Sequence, residues 1–110
     1  MARQAIERYG EVFHDFALDR LDLYEGGDGG PEGQVRVAEF RVVGRRFVCI
    51  DSPIRHEWDM TPAVAPFVVC DDDDEMERLF AALSDGGKVY MPLDDYGFGR
   101  RFGWVEDRFG

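Results

Sequence analysis

Four aromatic residues alternate along the segment DDYGFGRRFGWV near the end of the sequence. Alternate side chains of an extended strand point to the same side, so these rings are predicted to share one face: Tyr96, Phe98, Phe102 and Trp104. The rings either fill the inner side of a sheet or line a pocket for a flat or small apolar ligand. In the second interpretation the ligand-binding residues are Trp58, Tyr96, Phe98, Trp104 and the neighbouring Arg100. Three glycines would let the backbone approach that ligand closely, namely Gly97, Gly99 and Gly103.

Few other side chains have the spacing of a catalytic or metal site. The chain has only two histidines, His14 and His56, and neither has a second histidine at ligand spacing. The acidic run DDDDE at residues 71–75 would lack the turn glycine and the closing glutamate of a calcium-binding loop. We interpret these acids as the N-terminal cap of a helix. No pair of nucleophile and base is predicted, since one serine lies in a proline turn and the other at a helix end.

The first half of the sequence predicts one helix followed by three strands. Apolar residues recur at helical steps from Ala2, which predicts an amphipathic helix to about His14. Alternation over residues 16–24 predicts a strand, and the glycine-rich EGGDGGPEG after it predicts a surface loop. Two more strands are predicted over residues 35–42 and 47–50, joined by a tight hairpin at Gly44.

The second half predicts a strand, a helix and two strands. Residues 51–63 contain two prolines without periodicity and are predicted to be a connector. The apolar run at residues 65–70 predicts a strand, the acid-capped MERLFAAL predicts a helix, and strands follow at residues 88–93 and about 102–105. We therefore predict a single domain, residues 1–110, built from two similar half-modules at about residues 1–52 and 64–110.

Composition narrows the classes of partner. A length of 110 residues is enough for one domain with one core. A formal charge of −10 repels phosphate backbones and anionic lipid, so neither nucleic acid nor membrane is an expected partner. The sequence has neither a basic and apolar leader nor a long apolar run, which predicts a cytoplasmic protein. Cys49 and Cys70 lie in separate apolar runs and are predicted to be free thiols.

Several motifs occur in a recognisable order from Val35 to Gly110: DSPIRH, TPAVAPFVVC, LFAALSDGG, MPLDDYGF and FGWVEDRFG. With the weaker AIERYGEVF near the start, they resemble the PhnB-like branch of the vicinal oxygen chelate superfamily. That superfamily includes glyoxalase I, extradiol dioxygenases and bleomycin-resistance proteins, and members of the branch are often described as demethylubiquinone 3-methyltransferases. The resemblance implies an α+β fold of two βαβββ modules that form a curled mixed sheet around a cavity, and it implies a homodimer.

The resemblance also bears on whether a metal or another cofactor is expected. Against the family pattern, a strand before the first helix and a strand after DRFG are absent from these 110 residues, and metal-dependent relatives take ligands largely from such strands. No cofactor is therefore predicted, and we expect a protein that binds a small molecule on the concave side of the sheet. The alternative is a divalent-metal lyase, dioxygenase or resistance enzyme with His56, Glu57 and Glu106 as participants. Methyl transfer has less support, because the strand-to-helix turn VVCDDDDEM offers no glycine to cradle a nucleotide-like cofactor.

Overall fold

The computed structural model describes residues 1–110 and groups them into two compact units, residues 1–57 and 58–110. Each unit combines one helix with antiparallel strands, which confirms the predicted α+β class. The first unit contains α1 (Ala2–Val12), β1 (Ala17–Leu23), β2 (Val35–Val42) and β3 (Arg45–Cys49). The second contains α2 (Asp73–Ser84), β4 (Lys88–Asp95) and β5 (Arg101–Glu106). Neither helix is long and apolar enough to cross a membrane.

The core of the first unit forms where α1 lies on its three-stranded sheet, in the order β1-β2-β3. The apolar stripe of α1 buries Ile6 and Val12, as its helical spacing predicts. Phe40 of β2 lies at the centre of the aromatic part of this core. Its ring centroid is 6.3 Å from that of Tyr9, 5.8 Å from that of Phe16 and 5.6 Å from that of Phe47.

A two-residue turn joins β2 to β3, as Gly44 predicted. Val43 and Gly44 both have positive φ, at 49° and 67°, which is the backbone of a hairpin turn that matches the twist of the strands. The N–H of Gly44 donates to Asp15 Oδ2 at 3.0 Å. A β-branched residue is strained at positive φ, so Val43 stores strain in this turn.

A buried carboxylate joins the beginning of α1 to the beginning of β2. Asp51 is 9% exposed, and its side chain accepts the backbone N–H of Ala2 at 2.9 Å and that of Val35 at 3.0 Å. Burial by itself would raise the pKa of Asp51, but these hydrogen bonds and the nearby terminal ammonium together hold it below its usual value. The sequence predicts Asp51 only as the start of a connector, so its structural role is a finding of the structure.

The second unit places α2 on one face of the β4–β5 hairpin. The acidic run begins α2 as predicted, because Asp72 Oδ1 accepts the N–H of Glu75 at 2.8 Å while Glu75 Oε2 accepts the N–H of Asp71 at 2.7 Å. Register shifts along β4 between Val89 and Met91, and again before Asp94, put extra residues in that strand. The alternation of side chains is therefore not regular along β4.

The strand predicted over residues 65–70 is wrong. The segment is neither strand nor helix, and it joins neither sheet. A strand needs a partner for its backbone hydrogen bonds, and Pro66 has no N–H to offer. The apolar run contributes a side chain that packs on another apolar group, since Phe67 stacks on Phe102. It does not form the backbone hydrogen bonds of a β-strand.

Candidate functional site

The candidate site is the face of the β4–β5 hairpin opposite α2. Gly103 of β5 marks the side that α2 covers, since a Cβ there would lie 2.5 Å from Phe80 Cε2. Arg101 lies on that same side, and its Nη1 is 2.6 Å from Glu77 Oε1 of α2. By alternation, Phe102 and Trp104 point away from the helix. The hairpin therefore has a helix-covered side and a side that carries aromatic rings.

We call this second side the aromatic face, and it consists of Phe67, Tyr90, Tyr96, Phe98, Phe102 and Trp104. Phe102 is its centre, with ring centroids at 5.8 Å from Phe67, 6.3 Å from Tyr96 and 6.0 Å from Phe98. Phe67 is stacked on Phe102, whereas Tyr96 and Phe98 meet it edge to face. Farther along β5, the rings of Trp104 and Tyr90 are 5.3 Å apart.

Several of these rings remain open to solvent. Phe98 is 70% exposed and Phe67 is 75% exposed, while Phe102 and Trp104 are half-buried. Exposed apolar clusters often mark surfaces that bind a ligand, another protein or a membrane. Phe98 is therefore not part of a filled core, whereas Phe102 and Trp104 are partly covered.

The remaining residues of the predicted ligand set lie in the same unit. Trp58 is 72% exposed in the connector. Arg100 donates from Nη2 to the carbonyl oxygen of Cys70 at 3.1 Å, so one of its donors fastens the end of the 65–70 segment. The hydroxyl of Tyr96 donates to the carbonyl oxygen of Pro92 at 2.7 Å, which fixes the orientation of that ring.

A polar pair lies at the Trp104 end of the aromatic face. The hydroxyl of Tyr90 donates to Glu106 Oε2, and the hydrogen bond is part-buried. This bond, with smaller contributions from burial and the negative charge of Glu106, raises the pKa of Tyr90 above its usual value. Lys88 is the cross-strand partner of Glu106, yet its ammonium lies over the Tyr90 ring, 4.7 Å from the centroid.

The three glycines predicted to admit a ligand have different roles. Gly97 and Gly99 have φ of 84° and 80°, and a Cβ added to either would meet no atom within 4 Å, so they serve the turn between β4 and β5. The prediction for Gly103 is wrong, because its missing side chain makes room for the ring of Phe80. Close approach at Gly103 is between α2 and β5, on the side opposite the aromatic face.

The structure brings together one nucleophile and one base that the sequence does not pair. His56 Nε2 lies 2.8 Å from Ser52 Oγ, four residues earlier in the connector. The same hydroxyl donates a hydrogen bond to the carbonyl oxygen of Ile54 at 3.1 Å, and the group lies in an exposed turn. The pair therefore stabilises the turn. It does not resemble an activated nucleophile, because the hydroxyl donates to a backbone carbonyl oxygen rather than to a base, and because the pair is exposed to solvent.

The residues predicted to participate with a divalent metal do not make a preformed centre. No group of three or more His, Cys, Asp and Glu side chains is placed to hold a metal ion. His56 is engaged with Ser52, and Glu106 accepts the hydroxyl of Tyr90. Cys49 and Cys70 are free thiols, and burial raises the pKa of both.

Sequence reasoning missed two members of the aromatic face. Phe67 lies in the apolar run that was assigned to a strand, and its stacking on Phe102 depends on a contact that no short motif specifies. Tyr90 was assigned to β4 without a role, because the register shift beside it breaks the alternation that would have placed it next to Trp104.

The family model and the solved structures that match this chain indicate the same family. The chain matches the family model described as 3-demethylubiquinone-9 3-methyltransferase over residues 1–110. Among solved structures it is similar to the PhnB protein from Bacillus cereus, with 34% identity and a TM-score of 0.94 over 99% of this chain and 84% of that one. It is also similar to protein PA1353 from Pseudomonas aeruginosa, with 26% identity and a TM-score of 0.83 over 98% of this chain and 82% of that one. No curated protein matches. The chain belongs to the PhnB-like family that carries the 3-demethylubiquinone-9 3-methyltransferase description.

Proposed function

We propose that this PhnB-like protein binds a flat or small apolar molecule on the aromatic face. The observation that carries the proposal is the ring cluster around Phe102, in which Phe98 stays 70% exposed at the surface. A planar ligand would bury the exposed faces of such rings, and aromatic contacts contribute about 0.5–1.5 kcal/mol each beyond area burial. Trp58 and Arg100 complete the proposed set, at the connector and beside the β4–β5 turn.

The function proposed for this chain is binding, and methyl transfer is not part of it. The acids that begin α2 occupy the helix N-terminus, where a cofactor's negative groups would otherwise bind. The alternative of a metal-dependent lyase, dioxygenase or resistance enzyme gains no specific support from the placement of His56, Glu57 and Glu106. We further propose a cytoplasmic homodimer of single-domain chains, on the resemblance to the superfamily; a clean monomer in light scattering at micromolar concentration would refute the dimer.

The binding test uses 2-methylnaphthalene as a flat apolar probe and follows both indole N–H resonances by NMR. The chain has two tryptophans: Trp104 lies on the aromatic face, and Trp58, in the connector, is the other tryptophan of the proposed ligand set. We expect saturable shifts and a dissociation constant that rises about fivefold in Phe98→Ser, the loss of one ring contact of about 1 kcal/mol.

The matched control is Ile54→Ser. Ile54 is 67% exposed, similar to Phe98, but lies in the connector outside the aromatic face. We expect this variant to bind the probe as the wild type does. Equal losses in Phe98→Ser and Ile54→Ser, or an absence of saturable binding to the wild type, would refute the proposed function.

A further inference from the structure

The aromatic face ends in an acceptor that the protein itself does not fully use. Glu106 lies two residues after Trp104 on β5, on the same side of the strand. Its Oε2 accepts the hydroxyl of Tyr90, and no other hydrogen bond from the protein reaches its carboxylate. A carboxylate has about four acceptor sites, so the side chain keeps free capacity beside the rings.

The neighbouring cations form no ion pair with this carboxylate. Lys88, directly across the hairpin, places its ammonium over the Tyr90 ring and forms no ion pair with Glu106. Arg108 donates through its guanidinium to the backbone oxygen of Asp85 at 2.9 Å and to the Asp85 carboxylate. Glu106 is therefore held by Tyr90 in one orientation without being neutralised by a cation.

We infer that Glu106, oriented by Tyr90, accepts a hydrogen bond from the end group of the ligand whose flat body lies on the aromatic face. This inference rests on the proposed function and names the ligand class: apolar, planar molecules that carry a hydroxyl or amine donor. Glu106 contacts the ligand, and Tyr90 is a positioning residue. An acid is disfavoured, because two carboxylates would meet at the half-buried end of the face.

Three probes with the same ring system separate these possibilities: 2-naphthylmethanol, its methyl ether and 2-naphthoate. Their dissociation constants are measured by NMR titration of the full chain. We expect the alcohol to bind about tenfold more tightly than the ether, as for one hydrogen bond to a charged acceptor that water partly competes for, and the carboxylate to bind most weakly. This comparison needs no variant and so does not depend on a mutant folding.

Two variants then assign the effect. In Glu106→Gln the ratio of the ether's dissociation constant to the alcohol's should fall to about threefold or less. Asp74→Asn removes the same charge from exposed α2 and should keep the tenfold advantage. Tyr90→Phe, which frees Glu106 to change rotamer, should also reduce this ratio.

The outcomes distinguish this inference from the function on which it rests. If the alcohol and ether bind the wild type equally well, the role of Glu106 is refuted while binding to the aromatic face stands. If the advantage of the alcohol survives Glu106→Gln, another acceptor is responsible and the inference is also refuted. If none of the three probes binds, the proposed function itself fails.

Discussion

Replacing Gly103 by alanine should destabilise the second unit, because the added methyl group meets the ring of Phe80. Its Cβ would lie 2.5 Å from Phe80 Cε2 and 2.7 Å from Cδ2, whereas carbon atoms normally pack at about 3.5–4.0 Å. The ring must therefore move by about 1 Å. Overpacking of this kind costs about 1–3 kcal/mol.

A smaller effect opposes this cost. Gly103 has an ordinary backbone conformation, so alanine restricts the unfolded chain and contributes about 0.4–1 kcal/mol of stability. The net expectation is a free energy of unfolding lowered by about 1–2 kcal/mol. Urea unfolding followed by circular dichroism measures it.

A double-mutant cycle with Phe80→Leu tests the mechanism. Leucine lacks the ring atoms that the new methyl group would meet, so Gly103→Ala should cost less than about 0.5 kcal/mol in that background. Gly97→Ala is the control: Gly97 has a φ of 84° with open space around it, and its cost of about 1–2 kcal/mol should be the same in both backgrounds. An equal cost of Gly103→Ala with and without Phe80 would refute the packing of α2 on this side of β5.

Three further predictions concern the strained turn and the two hydrogen-bonded acids. Val43→Asn should stabilise the chain by about 1 kcal/mol in urea unfolding, since asparagine tolerates the positive φ that strains valine; a loss of stability would contradict the turn geometry. Asp51→Asn should cost about 2 kcal/mol at pH 7, because two buried backbone N–H groups lose a charged acceptor. Because the pKa of Asp51 is lowered in the folded state, its ionised carboxylate stabilises the fold above the unfolded carboxyl pKa, and this stabilisation is lost as pH falls through the folded pKa. The cost of Asp51→Asn should therefore shrink in acid. A cost that does not change with pH would contradict this role of Asp51. By ring NMR, the pKa of Tyr90 should lie above its usual value and should return toward that value in Glu106→Gln. Because this pKa is raised, the hydrogen bond to Glu106 stabilises the fold below the unfolded tyrosine pKa, and the stabilisation is lost as pH rises through the folded pKa.

Much of the fold follows from local signals in the sequence. Both helices show the apolar spacing of one buried stripe, and Asp72 caps α2 where the acidic run predicted a helix start. Gly44 marked the hairpin between β2 and β3, and the strands predicted at residues 88–93 and about 102–105 correspond to β4 and β5. These features depend on residues a few positions apart, so the sequence carries them directly.

The features that the sequence did not reveal depend on distant partners. Whether residues 65–70 form a strand depends on a second strand to pair with, and an apolar run cannot specify that partner. Asp51 reaches a residue 49 positions away, and Tyr90 meets Glu106 through a register shift in β4. The alternation of rings along β5 could be predicted from the sequence. Which side of β5 is covered by α2 could not, because it depends on the packing of Phe80 against Gly103.

The central claim is that the aromatic face of the second unit binds a planar ligand, and aromatic-ring NMR tests it most directly. Titration with 2-methylnaphthalene should shift the ring signals of Tyr96, Phe98 and Phe102, which contact one another, along one saturable curve. The rings of Phe40 and Phe47, stacked in the core of the first unit, should keep their shifts and serve as internal controls. Unchanged Tyr96 and Phe98 signals at saturating probe, or shifts confined to Phe40 and Phe47, would contradict the account.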